Sequence, residues 1–201
     1  LKEETGINAD KLELVAVLSG NDYTNTNVAG DVKTGYTITN TLLPKKRDLI
    51  LNIMFAQGQS DALNLRSRAK DMDGTAIIAE ESKIPMFDGT KDYSTWAAGS
   101  PVYEIVNGEK QVFTLITPHN ASYYPTSTPS NTPSLWSVRH TKDPTKAKEW
   151  FAPNGTSGLY MKDEVCVDSN MEDATVVYRS IVDNNAYAPS AYINNWEKVE
   201  L

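Results

Sequence analysis

VFTLITPHNASYYPTSTPSNTPSLWSV (Val112–Val138) and VVYRSIVDNNAYAPSAYINNWEKV (Val176–Val199) are two versions of one pattern. Each opens on alternating residues and passes through a His-Asn-Ala or Asn-Asn-Ala step. A loop rich in Tyr, Pro and small polar residues follows, and the copy closes on Trp-x-Val. Phe113 matches Tyr178, His119-Asn120-Ala121 matches Asn184-Asn185-Ala186, Pro125 matches Pro189, and Trp136 matches Trp196. Alternation at period two, broken by turn residues, marks short strands. A repeat of this kind sets the architecture before other features are read.

Upstream of each copy lies a further strand and an aromatic lead-in. Trp96 and AAGSPVYEI precede the first copy, Leu159 and YMKDEVCV the second. On this alignment Val102 matches Val165, and the valine-to-tryptophan spacing is 34 residues in one copy and 31 in the other. The lead-ins are IPMFDG, with Phe87, and EWFAPNG, with Trp150 and Phe151. A unit of about fifty residues is marginal alone, because small domains bury a low fraction of their surface. A buried indole contributes a large apolar area. Trp136 and Trp196 therefore read as core pins, with Val102 and Val165 as core strand positions. The polar run RHTKDPTKAKE (Arg139–Glu149) reads as a linker.

Before Pro85 the pattern is helical. Pro44 suits a first helical turn, and Leu49, Ile50, Ile53 and Met54 recur at helical spacing. Ser60 or Asp61 caps a second piece, and Asp73 a third, GTAIIAEES. The apolar stripe packs either on its own chain or on copies of itself. Residues 1–43 are polar with turn signals at Gly20, Gly30 and Gly35. Within them KLELVAVL is either a strand or a short helix capped by Asp10, and GYTITNTLL alternates as a strand does. The segment is too polar to build a core alone and reads as an extended arm that orders on a partner. The expected fold is α+β: an arm over 1–43, short oligomerising helices over 44–83, and antiparallel β modules over 84–141 and 142–201.

Composition removes several functions. The net charge is −7 and the only basic cluster is Lys45-Lys46-Arg47, so the broad basic face of a nucleic-acid binder is missing. No apolar run reaches transmembrane length, so no membrane insertion is expected. LELVAVLSG is short, follows acidic residues and lacks the basic start of a signal peptide. The first residue is Leu, read as either a trimmed product or the literal translation of a non-ATG start codon; the second points to a bacterial or phage gene. Cys166 is the single cysteine and fills a strand position in EVCVD. Phosphate-loop, zinc-protease and nucleophile-elbow motifs are missing. DMDGT at Asp71–Thr75 begins like a calcium loop, but Ser82 stands at its twelfth position, where a Glu is required. Catalytic residues, metal ligands and cofactors are therefore not expected.

The order of an aromatic, a Gly-Asp-x-Val strand, an Asn/Pro loop and a closing Trp resembles the small carbohydrate-binding modules appended to bacterial chitinases. Here Gly99-Ser100-Pro101-Val102 and Lys162-Asp163-Glu164-Val165 stand in the Gly-Asp-x-Val place, each keeping half of the pair. The longer run, MDGTAIIAEESKIPMFDG followed by VFTLITPHNAS and TPSLWSV, is similar to the C-terminal parts of phage tail-fibre, baseplate and head-fibre proteins. The resemblance implies a virion protein, trimeric as such fibres often are, docked on other virion proteins through its N-terminal arm and presenting its modules outward. Sugar rings stack their apolar faces on exposed Trp and Tyr, much as aromatics serve protein interfaces. The candidate glycan contacts are Trp96, Tyr123 and Tyr124 in the first module and Trp150, Tyr187 and Tyr192 in the second. Asn120, Asn185 and Asn194 are the polar partners. The competing expectation is a purely structural virion protein, such as a head fibre, neck or baseplate adaptor, whose modules touch only protein. A weaker third is an accessory module of a secreted polysaccharide-degrading enzyme.

Overall fold

The computed structural model describes residues 50–200 in full except 156, and the backbone of strands and one helix start within 12–49. It divides into two compact units, Leu1–Gly58 and Gln59–Leu201. In the first unit β1 (Leu12–Ser19) pairs antiparallel with β4 (Thr37–Pro44), from Leu12 opposite Pro44 to Ser19 opposite Thr37. The short β2 (Thr24–Asn25) pairs with β3 (Lys33–Thr34). The two stretches read as strands, KLELVAVL and GYTITNTLL, supply these two eight-residue strands, and Pro44 ends a strand instead of starting a helix.

One helix, α1 (Lys46–Arg68, 23 residues), replaces the two expected pieces. Ser60 and Asp61 lie inside it and cap nothing at a terminus. Carrying Gly58 through a helix costs about 1 kcal/mol, less than ending one helix and nucleating another. Arg66 and Arg68 in the last turn suit the negative end of the helix dipole. A single turn at Ala69–Asp71 leads to α2 (Gly74–Ala79). Its cap is as expected: the Asp73 carboxylate accepts from Ala76 N at 2.8 Å. Leu65, Ala69, Ile77, Ile78 and Ile84 form a buried cluster with Val112 of the first module. The later half of the apolar stripe therefore packs on its own chain.

The first module is a three-stranded sheet of β5 (Pro101–Val106), β6 (Glu109–Leu115) and β7 (Trp136–Val138), antiparallel throughout. Asn107 and Gly108, both at positive φ (53° and 86°), make its hairpin turn. The second module orders β8 (Lys148–Glu149), β9 (Val165–Val167), β10 (Val177–Ser180) and β11 (Trp196–Val199) with β8 parallel to β9. The repeat is real in three dimensions. Leu115 faces Trp136 as Ser180 faces Trp196. Each lead-in runs parallel to the next strand, with Phe87 N donating to Tyr103 O and Trp150 N to Val167 O.

One match is corrected by a residue. Val102 pairs with Phe113, and Cys166, not Val165, pairs with Tyr178, the match of Phe113. Gly99 and Asp163 then coincide as the left-handed residues of equivalent turns, at φ 88° and 74°. Asp163 thus stands in the glycine place of the pattern. Val165 is buried, as expected, but opposite Arg179.

The stretch read as a linker is the joint between the modules. Arg139 Nε donates to Thr114 Oγ1 at 2.8 Å and Gln111 Nε2 to Glu149 O at 2.8 Å. His140 is buried, stacked on Tyr160 with centroids 3.5 Å apart, and Phe113 meets Phe151 edge-on. The two modules and α2 form one body. Gly74 starts α2 so close to this joint that an added Cβ would fall inside van der Waals contact of the His140 carbonyl oxygen. Gly74→Ala should therefore lower stability by about 2–3 kcal/mol, readable in urea unfolding; an unchanged midpoint would show that the helix start shifts freely.

Candidate functional site

Each module displays a pair of tyrosines on the loop before its closing Trp. Exposure is 76% for Tyr123 and 51% for Tyr124, 59% for Tyr187 and 48% for Tyr192. The loops start alike. Asn120 Oδ1 accepts from Ser122 N at 3.0 Å, and Asn185 Oδ1 from Tyr187 N at 3.2 Å. These Asx turns are the local reason for Asn at both positions.

The second loop is held from beneath by buried groups. Trp196 Nε1 donates to the Tyr187 carbonyl at 2.9 Å. Asn185 is buried, donates to Ser180 Oγ at 3.1 Å and accepts from Asn195 Nδ2 at 3.1 Å. The buried Asp168 accepts from Ser190 N at 2.9 Å and Asn170 N at 3.0 Å. Burial alone would raise the Asp168 carboxyl, but hydrogen bonds from Ser190 and Asn170 outweigh it and hold it below the ordinary carboxylate range. Tyr192 N donates to Ala188 O at 2.9 Å. With the backbone so fixed, the Tyr187 and Tyr192 rings stand 5.9 Å apart at 55°, beside the half-exposed Ile193.

The first loop is held differently. Ser130 N donates to Glu104 Oε2 at 2.9 Å, and Asn131 bonds within the loop to Thr126 and Thr128. His119 lies edge-on to Trp136 at 5.5 Å and 6.4 Å from Tyr124. No direct ring contact couples Tyr123 to Tyr124 among the described contacts, in contrast with Tyr187 and Tyr192.

Three of the expected contacts are wholly or partly covered by the fold. Trp96 is 8% exposed, flanked by the Arg66 guanidinium at 4.0 Å and the Lys91 ammonium at 4.7 Å, with Tyr93 edge-on at 4.8 Å. These groups occupy the ring a sugar would need. Trp150 packs half-buried on the second core, its Nε1 buried without a partner. Asn185 is below the surface and positions the loop from there. Asn120 is half-buried and its oxygen is already committed to the turn, whereas Asn194 is exposed. Trp136 and Trp196 are core residues, as expected, at 2% and 5% exposure.

Sequence reading passed over Tyr93 and Tyr160. Each lies edge-on to its closing Trp at 5.3 Å, and each hydroxyl accepts a lead-in N–H, from Asp88 at 2.8 Å and Phe151 at 3.1 Å. The signal was a shared aromatic upstream of the left-handed turn, hidden by a different spacing: six residues from Tyr93 to Gly99, three from Tyr160 to Asp163. Cys166 is buried in β9, and burial, with Asp168 nearby, pushes its thiol far up, so it stays protonated. Among the described residues no three His, Cys, Asp or Glu side chains gather to hold a metal, and no helix is long and apolar enough to cross a membrane. The arrangement offers exposed tyrosine rings on a loop whose backbone is held from beneath, with Asn194 exposed on the same loop.

Comparison with known proteins finds no matching family model, no matching curated protein and no matching solved structure.

Proposed function

We propose that this chain is a non-enzymatic virion fibre or decoration protein, held on the particle by its N-terminal region, whose tandem modules bind host-surface or environmental glycans through the tyrosine loops. The observation carrying the reading is the Tyr187–Tyr192 pair: two half-exposed rings on a backbone fixed by Trp196, Asn185 and Asp168. Ordering a loop and its side chains on binding costs free energy. Here the loop backbone is already held by the fold, so ligand contact has only the side chains left to order. A shallow contact of this size is weak singly, and two loops on one rigid body, multiplied by oligomerisation, supply avidity. The virion setting comes from the resemblance of the helix-to-module run.

Tyr187→Ala with Tyr192→Ala should lower binding to intact bacterial cells or a glycan array at least tenfold while leaving the unfolding free energy within about 0.5 kcal/mol of the parent. Undiminished binding by this variant would sink the reading. The burial of Trp96 and Trp150 favours, in part, the second reading of a structural adaptor: two of six expected stacking rings serve the fold itself. That reading gains if the folded protein binds no cell and no glycan yet captures a virion protein.

A further inference from the structure

The Arg66 guanidinium lies over the Trp96 indole, 4.0 Å from the ring centroid, and the Lys91 ammonium stands 4.7 Å from the same centroid. An aromatic face holds a guanidinium through its own face and leaves the N–H edge available to donate. Among the described residues no N–H of Arg66 donates to a protein oxygen, and neither Arg66 nor Lys91 forms an ion pair. Their neighbours differ: Arg68 pairs with Glu80 and Lys70 with Asp71. Arg66 is half-buried, and burial lowers its guanidinium from the ordinary value. The carboxylates next to Lys91 in sequence are engaged in turns of their own. Asp88 accepts from Thr90 N at 2.8 Å and Asp92 from Ser94 N at 2.8 Å. In a chain of net charge −7, a half-buried cation without a carboxylate is an exception.

The two cations border the first tyrosine loop. Ala121 N donates to the Lys91 carbonyl at 3.0 Å and Tyr93 N to the His119 carbonyl at 2.8 Å. Rings follow one another across this junction, Trp96 to Tyr93 at 4.8 Å, Tyr93 to His119 at 6.0 Å and His119 to Tyr124 at 6.4 Å. Residues 117–138 include no Asp, Glu, Lys or Arg. A ligand on this loop therefore meets hydroxyls, amides and the Tyr123 and Tyr124 rings, and finds its positive contact in Arg66 and Lys91.

We propose that Arg66 and Lys91, mounted on Trp96, form an oxyanion subsite of the first module, and that the glycan taken by this module carries an acidic group. A forked guanidinium gives two parallel N–H bonds to two oxygens of one group, so a uronic acid carboxylate and a phosphate or sulfate ester share the required chemistry. An acidic peptide offers the same carboxylate, but the adjoining tyrosine rings and neutral hydroxyls favour a sugar. The inference rests on the glycan reading of the loops and adds the charge of the ligand.

The test is a titration of the full chain with methyl glucuronide and methyl glucoside to tens of millimolar, followed by the Trp96 indole N–H signal in nuclear magnetic resonance and assigned with Trp96→Phe. The two sugars differ by a carboxylate in place of a hydroxymethyl group. The glucuronide should bind at least about tenfold more tightly, as one charge-assisted hydrogen bond supplies, and the preference should shrink as salt is raised. Arg66→Gln should abolish it. Arg66→Lys keeps a cation for the indole but cannot give the parallel pair, and should lose most of it; an unchanged near-ultraviolet circular dichroism spectrum shows that the fold is kept. Glucose 6-phosphate or 6-sulfate outdoing the glucuronide, with the same dependence on Arg66, supports the subsite and assigns the ester. Equal binding of the two methyl sugars, or full preference in Arg66→Gln, overturns the inference and leaves the glycan reading standing. Binding of neither the acidic nor the neutral sugars also overturns it, and the fate of the glycan reading is then decided by the cell and array assay. A triglutamate peptide that displaces the glucuronide at equal concentration points to a protein partner and overturns the sugar assignment.

Discussion

Trp196→Ala should lower the unfolding free energy by about 4 kcal/mol and release the Tyr187–Tyr192 loop in the same step. The indole is 5% exposed and edge-on to Tyr160. Its removal leaves a cavity in a small core made of Tyr160, Cys166, Tyr178 and itself. A core this small has few neighbours to collapse into the space, so the cost falls in the upper range for Trp truncation. The hydrogen bond from Nε1 to the Tyr187 carbonyl also disappears. Trp196→Phe separates the two effects. It keeps much of the packing but loses the donor, and should cost about 1–2 kcal/mol. Hydrogen exchange at the loop amides then decides the pin's role. Faster exchange at Tyr187–Tyr192 in Trp196→Phe is expected, and parent-like protection there would mean that packing alone holds the loop.

Acidification from pH 6.5 to 5 should cost about 2 kcal/mol through His140 alone. Burial, with a smaller push from Arg139, lowers its imidazole to about 4 from the ordinary 6.5; the hydrogen bond to the Gly158 carbonyl opposes only part of this. Above pH 6.5 the ring is neutral in folded and unfolded chains alike, and the full stability is present. Below 6.5 the unfolded chain takes up a proton that the folded chain refuses, so stability falls with pH until the folded group titrates near 4. The whole loss is about 3 kcal/mol. Glu164 acts in the opposite sense at the acid end, because burial raises its carboxyl and its protonation favours the folded state. The window from 6.5 to 5 lies mostly above that compensation. Denaturant midpoints in this window should fall for the parent and stay level for His140→Phe, which keeps a ring on Tyr160 but cannot titrate. Equal slopes for the two proteins would assign the acid sensitivity elsewhere.

His140 lies in a run that composition alone presents as a solvated linker. Its burial comes from Tyr160, twenty residues on, and from Gly158. The same limit explains Trp96. Its neighbours Lys91 and Tyr93 cover part of the ring, but the guanidinium that completes the cover belongs to Arg66 on α1, thirty residues upstream. In EVCVD three apolar residues stand in succession, and Val165 and Cys166 are both buried, so pattern could not choose which one pairs with Tyr178. The choice was made by the turn at Asp163 and the ladder to β10.

By itself, the sequence determined the features that are local or periodic: the α+β class, the two copies and their closing tryptophans, and the Asp73 cap. Each follows from local backbone geometry, from hydrophobic periodicity or from the recurrence of one pattern along the chain. The tertiary structure alone decided that the modules fuse through the supposed linker, and that Trp96 and Trp150 pack on the fold while the four tyrosines offered beside them, Tyr123, Tyr124, Tyr187 and Tyr192, face water. Burial is set by what the chain brings opposite a side chain, and part of what covers Trp96 comes from α1, thirty residues upstream.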